Sequence, residues 1–334
     1  MNYDTIHLFL PRYEISGSMG IDATHYAQYL DKIYNNKQTN IGIQIDGCLR
    51  NMRVKIKPSG ISIQGSLSRF YNQSDNNLIP IPFNMVSSIL EEIGDLLHIP
   101  IIRSSLLRVD FGSSFTMKYP PAVYIALLGT IPRMERLQLT KTSLMYKSNL
   151  INIAFYDKGK EMKDKKKKDF CRETRNQNIL RYELRLMNPK SIIEKLKMSD
   201  ITASSLCNRN FYDALVQLWL FNYQKINKNA NLLGTIELNN IQTVSDAKNY
   251  ILAELLISSG GQKTIDDYIV QLKNLSILKN SLSYSRLKKC LQECIATNAC
   301  NSNKFIDELD EKINFHPDSF LSYGLPKFEN IVSI

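Results

Sequence analysis

Over roughly the first 190 residues, apolar and polar side chains alternate in short runs, and beyond about Pro189 the period lengthens to that of a helix. A period of two sends successive side chains to opposite faces of a strand, and a period near 3.6 gathers them on one side of a helix. The alternating runs are 5–10, 42–45, 52–56, 60–64, 106–111, 152–156 and 180–186. Two helices are expected among them. Val86, Ile89, Leu90, Ile93, Leu96 and Leu97 recur at helical spacing within 85–97, and Pro120 and Pro121 suit the first turn of a second helix that runs to Leu128 and stops at Gly129.

The later helices are expected at 191–197, 211–226, 245–258, 265–272, 285–296 and 304–313, with an asparagine-rich link at 227–240. The chain therefore reads as α+β, with an antiparallel sheet domain over 1–195 and a helical domain over 196–334. Trp219, the single tryptophan, falls in the apolar run ALVQLWLFNY and is expected in a core. The run 245–296 has room for a helix-turn-helix-like unit. A helical layer that packs or self-associates accounts for it equally well.

Three strands divide their residues in a way that bears on chemistry. In 106–111, Leu107, Val109 and Phe111 share one face, and Arg108 and Asp110 the other. In 151–158, Ile151, Ile153 and Phe155 oppose Asn152, Tyr156 and Lys158. In 180–186, Leu180, Tyr182, Leu184 and Leu186 oppose Arg181, Glu183 and Arg185. If the three pair in one sheet, a carboxylate pair, a phenol and several cations collect on one side. Two carboxylates can hold a hard divalent cation such as Mg²⁺ or Mn²⁺. A tyrosine hydroxyl can attack a phosphodiester, and cations offset the negative charge that builds on the way. Any half-exposed antiparallel sheet also alternates in this manner, with Asp110 and Glu183 merely paired to Arg108 or Arg181.

Charge points the same way. The 334 residues carry 42 Lys+Arg against 32 Asp+Glu, a net charge of +10, which favours phosphate backbones as partners through counterion release. Between Lys158 and Arg175 lie nine Lys/Arg and four Asp/Glu, an electrostatic grip for DNA or a solvated loop. No apolar run is long enough to span a membrane, and the N-terminal stretch lacks the features of a secretory signal, so a cytoplasmic protein without a membrane partner is expected. The six cysteines form no CxxC pair, which argues against a zinc site and a disulfide framework.

The segments LLRVDFGSSFTMKYPPAVYIALLG, INIAFYDKGKEMK and ILRYELRLMNPKSI, with GCLRNMRVKIKPSGISIQGSLSRFY before them, resemble the filamentous-phage-type (gene II/X) replication proteins of phages and plasmids, most of all versions found in Bacteroidota elements. The order R-(V/I)-D, then F-Y-D-K, then R-(Y/F)-E-x-R carries the resemblance, which spans most of residues 1–200. It implies a relative of the HUH endonucleases, with an RRM-like antiparallel sheet and helices on one face. The implied activity is rolling-circle initiation, in which a tyrosine nicks single-stranded or supercoiled origin DNA and keeps the 5′ phosphate covalently. A host helicase and polymerase would be partners. By matched position, Tyr156 would be the nucleophile, Lys158, Arg181 and Arg185 would stabilise charge, and Asp110 and Glu183 would hold Mg²⁺ or Mn²⁺. Arg108, Lys160, Lys163, Lys165, Lys166, Lys167 and Lys168 are the expected DNA contacts.

The chain departs from the family pattern in one respect. The His-hydrophobe-His metal pair is missing from its four histidines, which leaves His7, on the first strand, as the one histidine placed to assist a metal. Tyr146, in SLMYKSN, is the rival nucleophile. The alternative function is a non-enzymatic module that binds an origin or a promoter.

Overall fold

In the computed structural model, residues 2–16, 21–75, 77–164, 177–228, 242–259, 262–278, 280–298 and 304–314 are described. Ten strands form one antiparallel sheet: β1 (Asn2–Pro11), β2 (Lys32–Thr39), β3 (Gly42–Leu49), β4 (Met52–Lys57), β5 (Gly60–Gly65), β6 (Ser105–Met117), β7 (Glu135–Thr140), β8 (Ser143–Lys147), β9 (Ile151–Asp157) and β10 (Asn178–Leu186). Their spatial order is β2-β3-β4-β5-β1-β6-β10-β9-β8-β7. The three strands singled out from their alternation, β6, β10 and β9, are adjacent, and β1 lies against the far side of β6. The fold is α+β with a large antiparallel sheet and helices, several of them toward the C-terminus.

Register explains what shares a face. Directly opposed residues of an antiparallel pair project to the same side. Across β10 and β6, Arg185 opposes Asp110, Glu183 opposes Gly112 and Arg181 opposes Ser114. Across β10 and β9, Arg181 opposes Tyr156 and Tyr182 opposes Phe155. The odd-numbered polar residues of β10 thus share a side with Asp110 and Tyr156. The even-numbered ones face the core, where Tyr182 stacks on Phe155 with centroids 4.4 Å apart and on Trp219 at 4.4 Å.

Helix Arg209–Gln224 supplies Trp219, which is fully buried as expected. The Tyr182 hydroxyl donates to the Trp219 carbonyl at 2.7 Å. Helix Val86–Leu97 buries Val86, Ile89, Leu90, Ile93 and Leu97 at its apolar spacing, and Leu96 is exposed. Two irregularities in the β1–β6 pairing alter the simple alternation. One, between His7 and Leu8, opposes Leu8 to Leu106, so Leu106 is buried and Leu107 is only half-buried. The second falls between Tyr3 and Ile6.

The chain divides into two compact units: Met1–Ile125, Thr130–Ile226 and Lys312–Ile334 in one, Ala126–Gly129 and Asn227–Glu311 in the other. The texture change near Pro189 is thus not the boundary. Helices Pro189–Leu196 and Arg209–Gln224 fall in the sheet unit, the second because its tryptophan and tyrosines complete the sheet's core. The second unit contains helices Val244–Ser258, Gln262–Asn274 and Ser281–Asn298, joined by a small core of Leu256, Ile265, Ile269 and Tyr284. Among the described residues no helix is long and apolar enough to cross a membrane.

Candidate functional site

A polar cavity of about 500 Å³ opens on the charged side of the sheet. Its walls include Asp4, Arg108, Asp110, Tyr156, Lys158, Glu161, Glu183 and Arg185. The expected carboxylate pair and the expected phenol therefore converge on one space. At the centre the Tyr156 hydroxyl donates to Glu183 Oε1 at 2.7 Å. The same oxygen accepts from Arg181 Nε at 3.0 Å, and Oε2 accepts from Arg185 Nη2 at 2.7 Å and Nε at 3.2 Å. Glycine is required at position 112 for this arrangement. A Cβ there would stand 2.3 Å from the Tyr182 carbonyl oxygen and 3.0 Å from Glu183 Cγ, a clash that would push β10 and its carboxylate aside.

Asp4 is the residue that the alternation did not reveal. It is 6% exposed and accepts from Arg181 Nη2 at 2.9 Å and from the Asn77 amide. The irregularity between Tyr3 and Ile6 places it. Tyr3 and Ile6 both enter the core, and Asp4 and Thr5 between them both line the cavity. Bulges re-aim side chains in this way. A strand read as beginning at Thr5 stops one residue short of it.

The electrostatics separate the carboxylates. Burial raises Asp4 to about 6, against the opposing pull of Arg181. Burial also acts on Glu183, but Arg181, a hydrogen bond from Asp4 and Arg185 outweigh it and hold Glu183 well below the usual carboxylate range. Of the two, Asp4 is the one that takes up a proton first as pH falls, and it does so beside an ionised Glu183. Burial, with lesser help from the Glu183 charge, holds the Tyr156 phenol well above its ordinary value. Asp110 is raised by burial, although Arg108 grips it through two bonds of 2.8 and 2.7 Å.

The cations take unequal positions. Arg181 is buried and spent on Asp4, Glu183 and Ser114. Arg108 and Arg185 keep about a quarter of their side-chain surface exposed and line the cavity. Lys158 begins helix Lys158–Asp164, is buried, pairs with Glu161 at 2.9 Å and sits 5.7 Å from the Tyr156 ring centroid. Lys160 and Lys163, on the same short helix, are exposed. Lys165, Lys166, Lys167 and Lys168 lie outside the described residues.

Tyr146 lies on the opposite side of the sheet. It opposes Ile153, has no solvent exposure and meets Phe155 edge-on at 6.5 Å. Burial pushes its phenol up to about 12. His7 bonds Ser62 Oγ through Nε2 at 2.8 Å and is not among the residues that line the cavity. As for Mg²⁺ or Mn²⁺, both oxygens of Asp110 and both of Glu183 are held by guanidinium groups or the phenol. Among the described residues no group of three or more His, Cys, Asp or Glu is arranged to hold a metal ion. The donor set in this arrangement is a closed ion-pair lattice and does not fit a resident divalent cation.

No protein-family model and no curated protein matches the sequence. The geometry itself defines the class of site: a phenol hydrogen-bonded to an ionised carboxylate, in a cavity walled by arginines, on one face of an antiparallel sheet.

Proposed function

We propose that the cavity breaks and rejoins a DNA strand with Tyr156 as the nucleophile, in the manner of a rolling-circle initiator built on an HUH-type, RRM-like sheet. The observation that carries this reading is the 2.7 Å bond from the Tyr156 hydroxyl to Glu183. The phenol must lose its proton as it attacks, and a carboxylate at hydrogen-bond distance meets the geometric requirement for a base.

In the proposed reaction the Tyr156 oxygen bonds to phosphorus while its proton passes to Glu183. The bond from phosphorus to the preceding 3′ oxygen breaks, and that oxygen takes up a proton from water, to which Glu183 returns its own, and leaves as a hydroxyl able to prime synthesis. Arg108 and Arg185, which reach the cavity, offset the charge on the phosphate. Arg181 acts from beneath as a positioning residue that fixes Asp4 and Glu183. The phosphotyrosine keeps the energy of the broken bond, so a later 3′ hydroxyl can reverse the step without ATP. Lys160 and Lys163, exposed beside the site, would contact the DNA backbone.

The test is incubation of the protein with a supercoiled plasmid that carries the DNA flanking its own coding sequence, in buffer with Mn²⁺ and in buffer with EDTA. Open circles with protein bound to the 5′ end support the reading. Retention of the plasmid without any open circles would favour a non-enzymatic DNA-binding module. Comparison of the two buffers decides separately whether a divalent cation takes part.

A further inference from the structure

The polar side of the sheet continues past the cavity onto β2–β5. Opposed residues form one row across six adjacent strands: Lys32 opposes Cys48, Cys48 opposes Arg53, Arg53 opposes Gln64, Gln64 opposes His7, and His7 opposes Arg108. Five strand-to-strand steps of about 4.8 Å make the row about 24 Å long. Its inner end lies in the wall of the cavity, which Arg53, Gln64 and Arg108 all line. On the same side Lys37 opposes Gln44, Lys55 opposes Asp46 and Ser62, and Lys57 follows Lys55 at a spacing of two. The only carboxylate on β2–β5 is Asp46, which pairs with Arg53 at 3.8 Å. Among the described residues none of Lys32, Lys37, Lys55 and Lys57 has an ion-pair partner. At the outer edge Tyr34 is 58% exposed; its hydroxyl donates to Cys48 Sγ at 3.1 Å, and Lys32 Nζ stands 5.5 Å from its ring centroid. His7 registers the positive field, since burial, Arg108 and Lys55 together hold it below its ordinary value.

From this geometry we propose that the polar side of β2–β5 is a track for the single-stranded DNA that flanks the attacked phosphate, with the lysines of β2 and β4 on its phosphates and Tyr34 stacked on a base at the outer edge. The inference rests on the DNA-nicking reading of the cavity. Charge and continuity select the occupant. Unpaired lysines on β2 and β4, with one carboxylate on the strand between them, suit a polyanion. A strand cut inside the cavity must leave it on both sides, and the row runs on from the cavity wall without a break. The exposed ring beside a cation selects a single strand over a duplex, because only an unpaired base can turn its face to an aromatic platform. Lysine contacts to phosphates position a strand without reading its sequence, so the grip is general.

The experiment measures binding of the full chain to a fluorescent twelve-residue thymidine strand over a range of salt concentrations. With Lys32→Gln, Lys37→Gln and Lys55→Gln combined, the slope of log affinity against log salt should become shallower by about 2, since each phosphate contact on a single strand contributes about 0.7. Tyr34→Ala should weaken binding about tenfold, within what one base–aromatic stack supplies. A control with Lys190→Gln, Lys197→Gln and Lys289→Gln removes the same charge from exposed lysines that are not on β2–β5, and its slope should stay close to that of the parent. An unchanged slope in the first variant, undiminished affinity with Tyr34→Ala, or an equal loss in the control would each overturn the track and leave the DNA reading of the cavity standing. A parent chain that binds no single strand at all would overturn both.

Discussion

Tyr182 and Glu183 are neighbours in sequence and belong to opposite worlds. Tyr182 is pressed between Phe155 and Trp219 on the apolar side of β10, and Glu183 is gripped by Arg181, Arg185 and the Tyr156 hydroxyl on the other. Both are almost fully buried. The apolar side gains stability from area removed from water, and its contacts tolerate small changes of direction. The polar side holds charges that are expensive to bury, and its stability depends on every partner being present. The difference teaches where function can reside: a buried charge lattice this complete is costly to keep in a fold that an apolar layer alone would serve.

The largest effect should come from removing the phenol oxygen alone. Tyr156→Phe should lower formation of the covalent DNA adduct by at least roughly a thousandfold, as loss of a nucleophile does, while the chain still folds with a loss of about 1–3 kcal/mol, since Glu183 keeps both of its arginines. Gel analysis of adducts beside calorimetry checks both halves. Next in size, Arg181→Met strips the shared partner from Asp4 and Glu183 and leaves buried carboxylates uncompensated. Unfolding by denaturant should show a loss of about 3–5 kcal/mol.

Asp4→Asn should change how stability depends on pH. Burial raises the folded-state value of Asp4 to about 6, above its ordinary carboxylate value near 3.8. Its contribution is therefore fully present below about pH 4 and is lost as pH rises through 6. Between pH 4 and pH 7 the parent should lose stability relative to Asp4→Asn by about 2–3 kcal/mol, as read from paired denaturant curves. Glu183 runs the other way, since its lowered value gives stability that is present above the ordinary carboxylate range and lost in acid. The parent's own curve is the sum of two opposed trends, so the difference between parent and variant is the quantity to measure.

The smallest effect belongs to the apolar side. Tyr146→Phe removes a buried hydroxyl from the core, with an expected cost near 1 kcal/mol and no change in adduct yield. A loss of adducts with Tyr146→Phe would reverse the assignment of the two faces.

Much of this division was readable in the chain. The alternation of Leu180 to Leu186 and of Ile151 to Tyr156 correctly separated core from polar side, because both strands lie inside the sheet with one face on an apolar layer. Strands β2, β7 and β8 were not legible. β2 and β7 are the two edges of the sheet and are largely exposed on both faces, so no two-residue period is imposed on KIYNNKQT or ERLQLT. β8 is five residues long, too short for its alternation to stand out. Asp4 escaped because a bulge shifts the period at that point, and Leu106 took the place of Leu107 for the same reason. The pairing of Asp110 with Arg108 was legible as an alternative, since two residues on one strand face recur at a spacing of two. That Glu183 accepts from the phenol was not, because it depends on the register of β9 against β10.

In the proposed reaction the attacking oxygen belongs to the polar side of β9. The direct test is to trap the protein on a nicked strand, digest the adduct and locate the modified tyrosine by mass spectrometry. The expected result is a nucleotide phosphate on the peptide that contains Tyr156. A phosphate on Tyr146 or on any other tyrosine, or a nicked product with no modified tyrosine at all, would contradict it.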